Sequence, residues 1–287
     1  MSEARVEESV DIGAVIAEPI ASVAASTPPS PVKAKRNYDA WITPLLRAIV
    51  IIALWWLGAR AAASPLFPSP ADVAQSAAAS LKSGVLIRAI WTSALRLTVG
   101  YLIALGAGIP LGATLARSPF LRKAIGPLVL GLGAVPSICW LPLAILWFGL
   151  SETAIQVVVV LGALLPIATA TESAVRHVTP TIERAARTMG ASGATLLFRV
   201  TLPAAIPGIL SGAKLGWTFA LRSLMAGELL FVSGGLGQLL ETGRDMGDTA
   251  LIVAVVVVVV ILARVCELAL FSPIDREIAR RWGTASA

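Results

Sequence analysis

The sequence predicts an all-α membrane protein with six transmembrane helices, and three observations carry that prediction. Hydrophobic residues make up 56% of the 287 positions and charged residues only 14%. A soluble domain carries roughly 25% charged residues. Mean hydropathy is +0.82. The apolar runs are long and rich in Ala, Leu, Val and Ile, and lack the alternation of about ten residues that marks a transmembrane barrel strand. Helices meet their own backbone hydrogen bonds, so in lipid they are the remaining solution.

The first forty residues stand apart. They begin acidic, become rich in Ala, Ser and Pro, and end in the basic patch Lys33, Lys35 and Arg36. Without the basic start and apolar core of a signal peptide, residues 1–40 are expected to be a disordered cytoplasmic tail. A membrane-spanning body then runs over 41–283, leaving 284–287 as a short C-terminal tail. Six apolar segments near 44–63, 90–116, 124–148, 153–174, 204–231 and 249–271 are long enough to cross at about 20 residues each. Pro127, Pro136 and Pro142 should break or kink the third. Only FGLSET parts it from the fourth, as in a tight hairpin.

Orientation follows from the short-loop basic residues. Thirteen Lys and Arg fall on one side: Lys33, Lys35, Arg36, Arg117, Arg122, Lys123, Arg176, Arg184, Arg187, Arg199, Arg276, Arg280 and Arg281. Four fall on the other: Arg60, Lys82, Arg88 and Arg244. Both termini are therefore expected in the cytoplasm, in a multi-pass protein of the inner (plasma) membrane. The pI of 9.9 reports these loops rather than nucleic-acid binding. Cys139, Cys266 and the single histidine, His177, are too few and too scattered for a metal site or a disulfide framework. No catalytic, cofactor or metal residues are expected.

The cytoplasmic loop 178–203 lies largely within the stretch TIERAARTMGASGATLLFRVTLPAA (181–205). Ile182, Ala185, Ala186 and Met189 recur at one helix face, with Glu183, Arg184, Arg187 and Thr188 opposite. Gly190 follows as a left-handed cap. Ser192 is placed to cap a second short helix carrying Leu196, Leu197 and Val200, which Pro203 should close. Outside, Ser69-Pro70 reads as the start of a short interfacial helix.

The spacing from Gly190 to Val200-Thr201-Leu202-Pro203 resembles the cytoplasmic signature of binding-protein-dependent ABC-transporter permeases, which runs Glu-Ala-Ala, three residues, Gly, nine residues, Ile, one residue, Leu-Pro. WLPLAILWFGLSE (140–152), PSPADV (68–73) and the AGELL…GGLG run (226–237) are similar to the nitrate/sulfonate/taurine (aliphatic sulfonate) branch. The resemblance covers about residues 44–283. It implies a type I ABC importer permease, two copies per transporter, whose coupling helix meets a separate ATPase subunit while an extracytoplasmic substrate-binding protein delivers a small anion: sulfonate, taurine, nitrate or a relative. The coupling residues carried over are Glu183, Arg184, Ala185, Ala186, Gly190, Leu202 and Pro203. Ala185 and Ala186 match the signature, but the family's glutamate, which helps anchor the loop to the ATPase, aligns with Arg184. The anchoring ion pair is then missing, shifted to Glu183, or reversed in sign through Arg184.

No G-x-x-x-x-G-K-[ST] loop occurs, so ATP is expected on the partner subunit. A secondary transporter driven by ion gradients is the alternative, though no Asp lies in an expected span. An intramembrane enzyme lacks a nucleophile–base set. Ionisable groups inside spans default to functional candidates. Lys214, Arg264 and Glu267 lie near span ends and can snorkel, and Arg96 is close to the outer surface. Arg222, in the fifth span, and Glu228 are the candidates for the substrate pathway. Six residues separate them, nearly two turns, so direct pairing is not implied.

Overall fold

The structure is a computed structural model and describes residues 39–62, 64, 66–230 and 234–282. The N-terminal tail expected over 1–40 and the C-terminal tail therefore lie almost wholly outside the described residues. Among those described, every regular element is helical. In order they are α1 (Asp39–Ala62), α2 (Pro70–Lys82), α3 (Val85–Arg117), α4 (Pro119–Ala134), a 3₁₀ turn (Ser137–Trp140), α5 (Leu141–Phe148), α6 (Glu152–Arg176), α7 (Pro180–Thr188), α8 (Gly193–Leu196), a π turn (Leu197–Thr201), α9 (Leu202–Leu229), α10 (Leu236–Asp245), α11 (Thr249–Cys266), a second π turn (Glu267–Phe271) and α12 (Ser272–Trp282). Residues up to Leu54 and residues from Trp55 onward form two units, and the second contains α2 through α12.

Local chemistry sets the boundaries. Ser118, Ser151 and Asp248 each accept a hydrogen bond from a first-turn amide of the helix that succeeds it, at Leu121, Ala154 and Leu251. Such caps satisfy donors that the helix itself leaves unpaired. At α2 the cap is reciprocal. Ser69 accepts from the Asp72 amide, and the Asp72 carboxylate accepts from the Ser69 hydroxyl and amide. Those bonds, the hydroxyl first, hold the Asp72 carboxyl below its ordinary pKa. Ser69-Pro70 thus starts a helix as its sequence indicates.

Four helices are long and apolar enough to cross a membrane: Val85–Arg117, Glu152–Arg176, Gly193–Leu229 and Thr249–Arg281. A fifth crossing exists if α4 and the Ser137–Phe148 segment, bent by 101° at their junction, form one span. The segment expected as the first span is helical in α1, but four to five crossings is what the described helices support, against the six expected. The bend falls at Val135-Pro136. Proline pushes the residue before it out of the helical region, and Val135 is extended at φ −73°, ψ 125°. Pro127 is absorbed inside α4 and Pro142 in the first turn of α5, so only one of the three prolines breaks the span.

The core is α6, held between α3 and α9. Leu97, Tyr101 and Ala104 from α3, Ile155, Val159, Ala163 and Ile167 from α6, and Trp217, Ala220 and Leu224 from α9 form its main cluster with Phe271. The Tyr101 hydroxyl donates to the Ala213 carbonyl at 2.8 Å, and its ring meets Trp217 edge-on at 5.1 Å. Two glycine rows permit this closeness. Gly100, Gly108 and Gly112 face one side of α6, and Gly208, Gly212 and Gly216 face another. A Cβ on Gly108 would lie 3.0 Å from the Leu164 carbonyl oxygen, and one on Gly112 would overlap the Ala168 carbonyl oxygen. In lipid, helices associate through such packing rather than through expulsion of water.

That contrast gives a test within one helix. Gly112→Ala should lower the melting temperature of the purified protein, because backbone must shift to admit the methyl group; overpacking of this kind typically destabilises by about 1–3 kcal/mol. Gly106→Ala, whose Cβ would meet nothing within 4 Å, should be neutral or gain up to about 1 kcal/mol of helix propensity. Equal effects at the two positions would refute the assignment of the Gly112 face to α6.

Candidate functional site: the 178–203 helix pair and the buried ions

The loop 178–203 folds as a capped helix followed by a turn into a long span. α7 begins at Pro180 and ends with Met189 as its cap. Gly190 has φ +87°, its amide donates to the Arg187 carbonyl at 3.0 Å, and the Ala191 amide donates to the Ala186 carbonyl at 2.9 Å. This pair of bonds is the Schellman closure, which needs a left-handed residue where Gly190 stands. Ala186 is buried, whereas Arg184, Ala185 and Arg187 are exposed. The apolar face is only partly covered: Ile182, Met189 and Phe198 are exposed too.

Ser192 occupies the cap position of α8, but its side chain makes no capping bond. Pro203 does not close the second helix. The chain runs on from Gly193 to Leu229 without a break, because the π turn Leu197–Thr201 precedes the proline, and Pro203 sits in the first turn of α9 where a missing amide is tolerated.

Two side-chain bonds fix this element. The Thr201 hydroxyl, fully buried, donates to Glu183 Oε1 at 3.0 Å, tying α7 to the π turn. Arg117, at the end of α3, donates to the Gly193 carbonyl at 2.8 Å. Arg184 reaches only the Pro180 carbonyl of its own helix, at 3.4 Å. Of the two positions that compete for the family's glutamate, Glu183 is therefore turned inward and Arg184 outward.

Within the bundle the buried ions pair across helices rather than along one. Glu228 is fully buried and pairs with Arg96, not Arg222: Arg96 Nη1 lies 2.9 Å from Glu228 Oε1. Arg96 also donates from Nε to Glu152 Oε2 at 2.6 Å and pairs through Nη2 with the same carboxylate. Buried Ser93 donates to the Glu228 carboxylate, 2.7 Å from Oε2, and accepts from the Leu236 amide at 2.8 Å. The Gly237 amide donates to Glu228 Oε2 at 3.0 Å. Four elements, α3, α6, α9 and α10, thus meet on one carboxylate–guanidinium pair.

The GGLG run is part of this arrangement. A Cβ on Gly235 would overlap the Glu228 carboxyl, and one on Gly237 would lie 2.5 Å from Glu228 Cβ. Sequence reasoning misses this centre. Ser93 and Arg96 share a face at i, i+3, but nothing in the spacing joins them to a residue far along the chain.

Lys214 pairs with Asp275 of α12, and Arg264 with Glu267 at 2.7 Å. Arg222 meets no carboxylate among the described residues. Its guanidinium lies over the Phe219 ring at 5.7 Å and lines a cavity beside the break at residues 135–137. No group of three or more metal-ligating side chains occurs among the described residues.

Residues 108–276, which hold the capped 180–203 element and its Leu-Pro junction, match the family described as binding-protein-dependent transport system inner membrane component. The chain belongs to this family. Members are transport components rather than enzymes, and this permease is one as well. It is 31% identical over 245 residues to the taurine transport system permease protein TauC of Escherichia coli, covering 80% of this chain and 89% of that protein. It is 27% identical over 237 residues to a putative aliphatic sulfonates transport permease protein, SsuC, of Bacillus subtilis, covering 82% and 86%. The fold is similar to inward-facing structures of the MetNI methionine ABC transporter, with a TM-score of 0.60 and 24% identity over 69% of this chain and 95% of that one.

Proposed function

We propose that this permease forms the membrane path of an ABC importer for a small anion of the sulfonate type, in the inner membrane. Two copies assemble with a separate ATPase subunit, which binds the ATP, and an extracytoplasmic binding protein supplies the substrate. Both termini face the cytoplasm, in line with the thirteen-to-four distribution of Lys and Arg. The sulfonate class rests on the relatives whose names carry taurine and aliphatic sulfonates.

The observation that carries the reading is the build of the 180–203 element. Its outer surface offers Ile182, Arg184, Arg187 and Met189 to a partner, while Glu183–Thr201 and Arg117–Gly193 lock it to two long helices at once. A push on α7 is then passed to α9 through the π turn and to α3 through Arg117. Glu183, Ala185, Ala186, Gly190, Leu202 and Pro203 hold the lever's shape, and Arg184 lies on its contact face. Rigid-body switching of the spans follows from ATPase closure.

Co-expression with its ATPase and binding protein, followed by reconstitution into liposomes, tests this. Taurine uptake should require internal or external ATP according to the side the ATPase faces, and should vanish when the ATPase is omitted. Uptake without the ATPase, driven by a proton or sodium gradient, would instead establish a secondary transporter.

A further inference from the structure

Arg222 is the one ionisable group, among the described residues, that lines a cavity of about 320 Å³. The walls come from the end of α4, the 3₁₀ turn, α6 and α9, with Leu161, Leu165 and Phe219 among the apolar members. The other polar side chains there are Ser137 and Trp140. None of the three donors (guanidinium, hydroxyl and indole N–H) has a hydrogen-bond partner among the described residues, and no acidic side chain lines the space.

That combination is unlike the other intramembrane ions of this chain. Arg96, Lys214 and Arg264 are each engaged with a carboxylate. A guanidinium cannot shed its proton, and a charge within a span is retained only where it faces protein or water. Here it sits seven residues before the end of α9, roughly 10 Å into the helix at 1.5 Å per residue. Beside it the span is broken, the kind of irregular backbone that membranes admit where it lines a cavity.

We propose that this cavity is an anion-binding site on the translocation path, in which Arg222 binds the charged oxygens of the substrate. Ser137 and Trp140 donate to the remaining oxygens, and the apolar walls receive a short aliphatic body. A sulfonate or carboxylate presents two or three acceptors to the guanidinium fork. Donors without a balancing acid select anions over cations and zwitterions lacking an exposed anionic head. The inference rests on the importer reading for the need of a path, and adds the chemistry that the path recognises.

The test uses the complete permease–ATPase complex with Cys139→Ser, Cys266→Ser and Ser137→Cys, so that one thiol reports from the cavity wall. Its rate of labelling by a sulfonate-bearing methanethiosulfonate is compared with that by a trimethylammonium-bearing one, relative to the same two rates on a free thiol. Arg222 should favour the anionic reagent roughly tenfold, the size of one charge-assisted hydrogen bond. Arg222→Gln should abolish the preference and Arg222→Lys should keep most of it. Excess ethanesulfonate should slow labelling only while a cation stands at position 222.

An anionic preference undiminished in the Gln variant would overturn the proposal, as would a thiol that neither reagent reaches in the assembled complex. Loss of the assembled complex in both the Gln and Lys variants would also overturn it, by making Arg222 a packing residue. The labelling ratio does not depend on transport, so a complex that imports no sulfonate would refute the substrate assignment above and leave this ratio to decide the site.

Discussion

Glu228→Ala should remove most of the folded permease from the membrane. The carboxylate is fully buried and accepts from Arg96, Ser93 and the Gly237 amide. Its loss takes one of two carboxylate partners from a guanidinium that is itself only 6% exposed, leaves the Gly237 amide without that acceptor, and opens a void against the GGLG run. Removing one partner of a buried ion pair destabilises by about 3–5 kcal/mol, a population change of roughly a hundredfold or more. Arg96 keeps Glu152, whose side chain is 61% exposed, and that solvated contact offsets only part of the loss.

Two companions separate the causes. Glu228→Gln retains the shape and one acceptor oxygen, so its defect should be smaller. Arg96→Met with Glu228→Leu removes both charges together; apolar replacement of a whole buried pair is often neutral or stabilising, so the double variant should recover abundance over Glu228→Ala. Membrane abundance by immunoblot and the melting temperature of the purified complex are the measurements. Wild-type abundance and melting in Glu228→Ala would remove the pair from the architecture. The same result bears on Arg222: because Glu228 is held by Arg96, neutralising Arg222 should not strand it.

The helical architecture is legible in the sequence because hydropathy and capping are local. Ser69, Ser118, Ser151 and Asp248 sit where the helices start, and Gly190 sits where α7 ends. Pro136 is visible as one of three prolines able to break a span, but local sequence does not say that Pro127 and Pro142 are absorbed. Pro203 fails to act as a terminator for a related reason. A proline ends a helix when its amide is needed, and the π turn before it removes that need. The ion pairing is illegible because it is long-range: Arg96 and Glu228 are brought together by helix packing, and within α9 alone Glu228 looks nearest to Arg222. The glycines at 208, 212 and 216 are written in the sequence as a four-residue repeat, yet their partner, α6, can be named only from the fold.

The hinge at Gly190 offers the sharpest functional test. Gly190→Val should uncouple ATP hydrolysis from transport while the protein stays in the membrane. The physical ground is backbone conformation alone. At φ +87° the residue occupies the left-handed region, yet a Cβ built there meets nothing within 4 Å. The strain of a left-handed L-residue is roughly 1–2 kcal/mol and greater for a β-branched one. That is enough to favour reopening of the Schellman closure, which the bonds from the Gly190 and Ala191 amides hold shut. α7 would then move independently of α9, so binding-protein-stimulated hydrolysis should persist while uptake falls roughly tenfold or more. Gly190→Asn supplies the control. Asparagine enters the left-handed region more readily than other residues with a side chain, so it should keep most of the uptake. Failure of Asn and Val alike, with α7 still capped by hydrogen-exchange protection, would mean that a partner approaches Gly190 too closely for any side chain. Normal uptake and normal stimulated hydrolysis in Gly190→Val would show that the rigid closure of α7 is not what transmits the ATPase stroke.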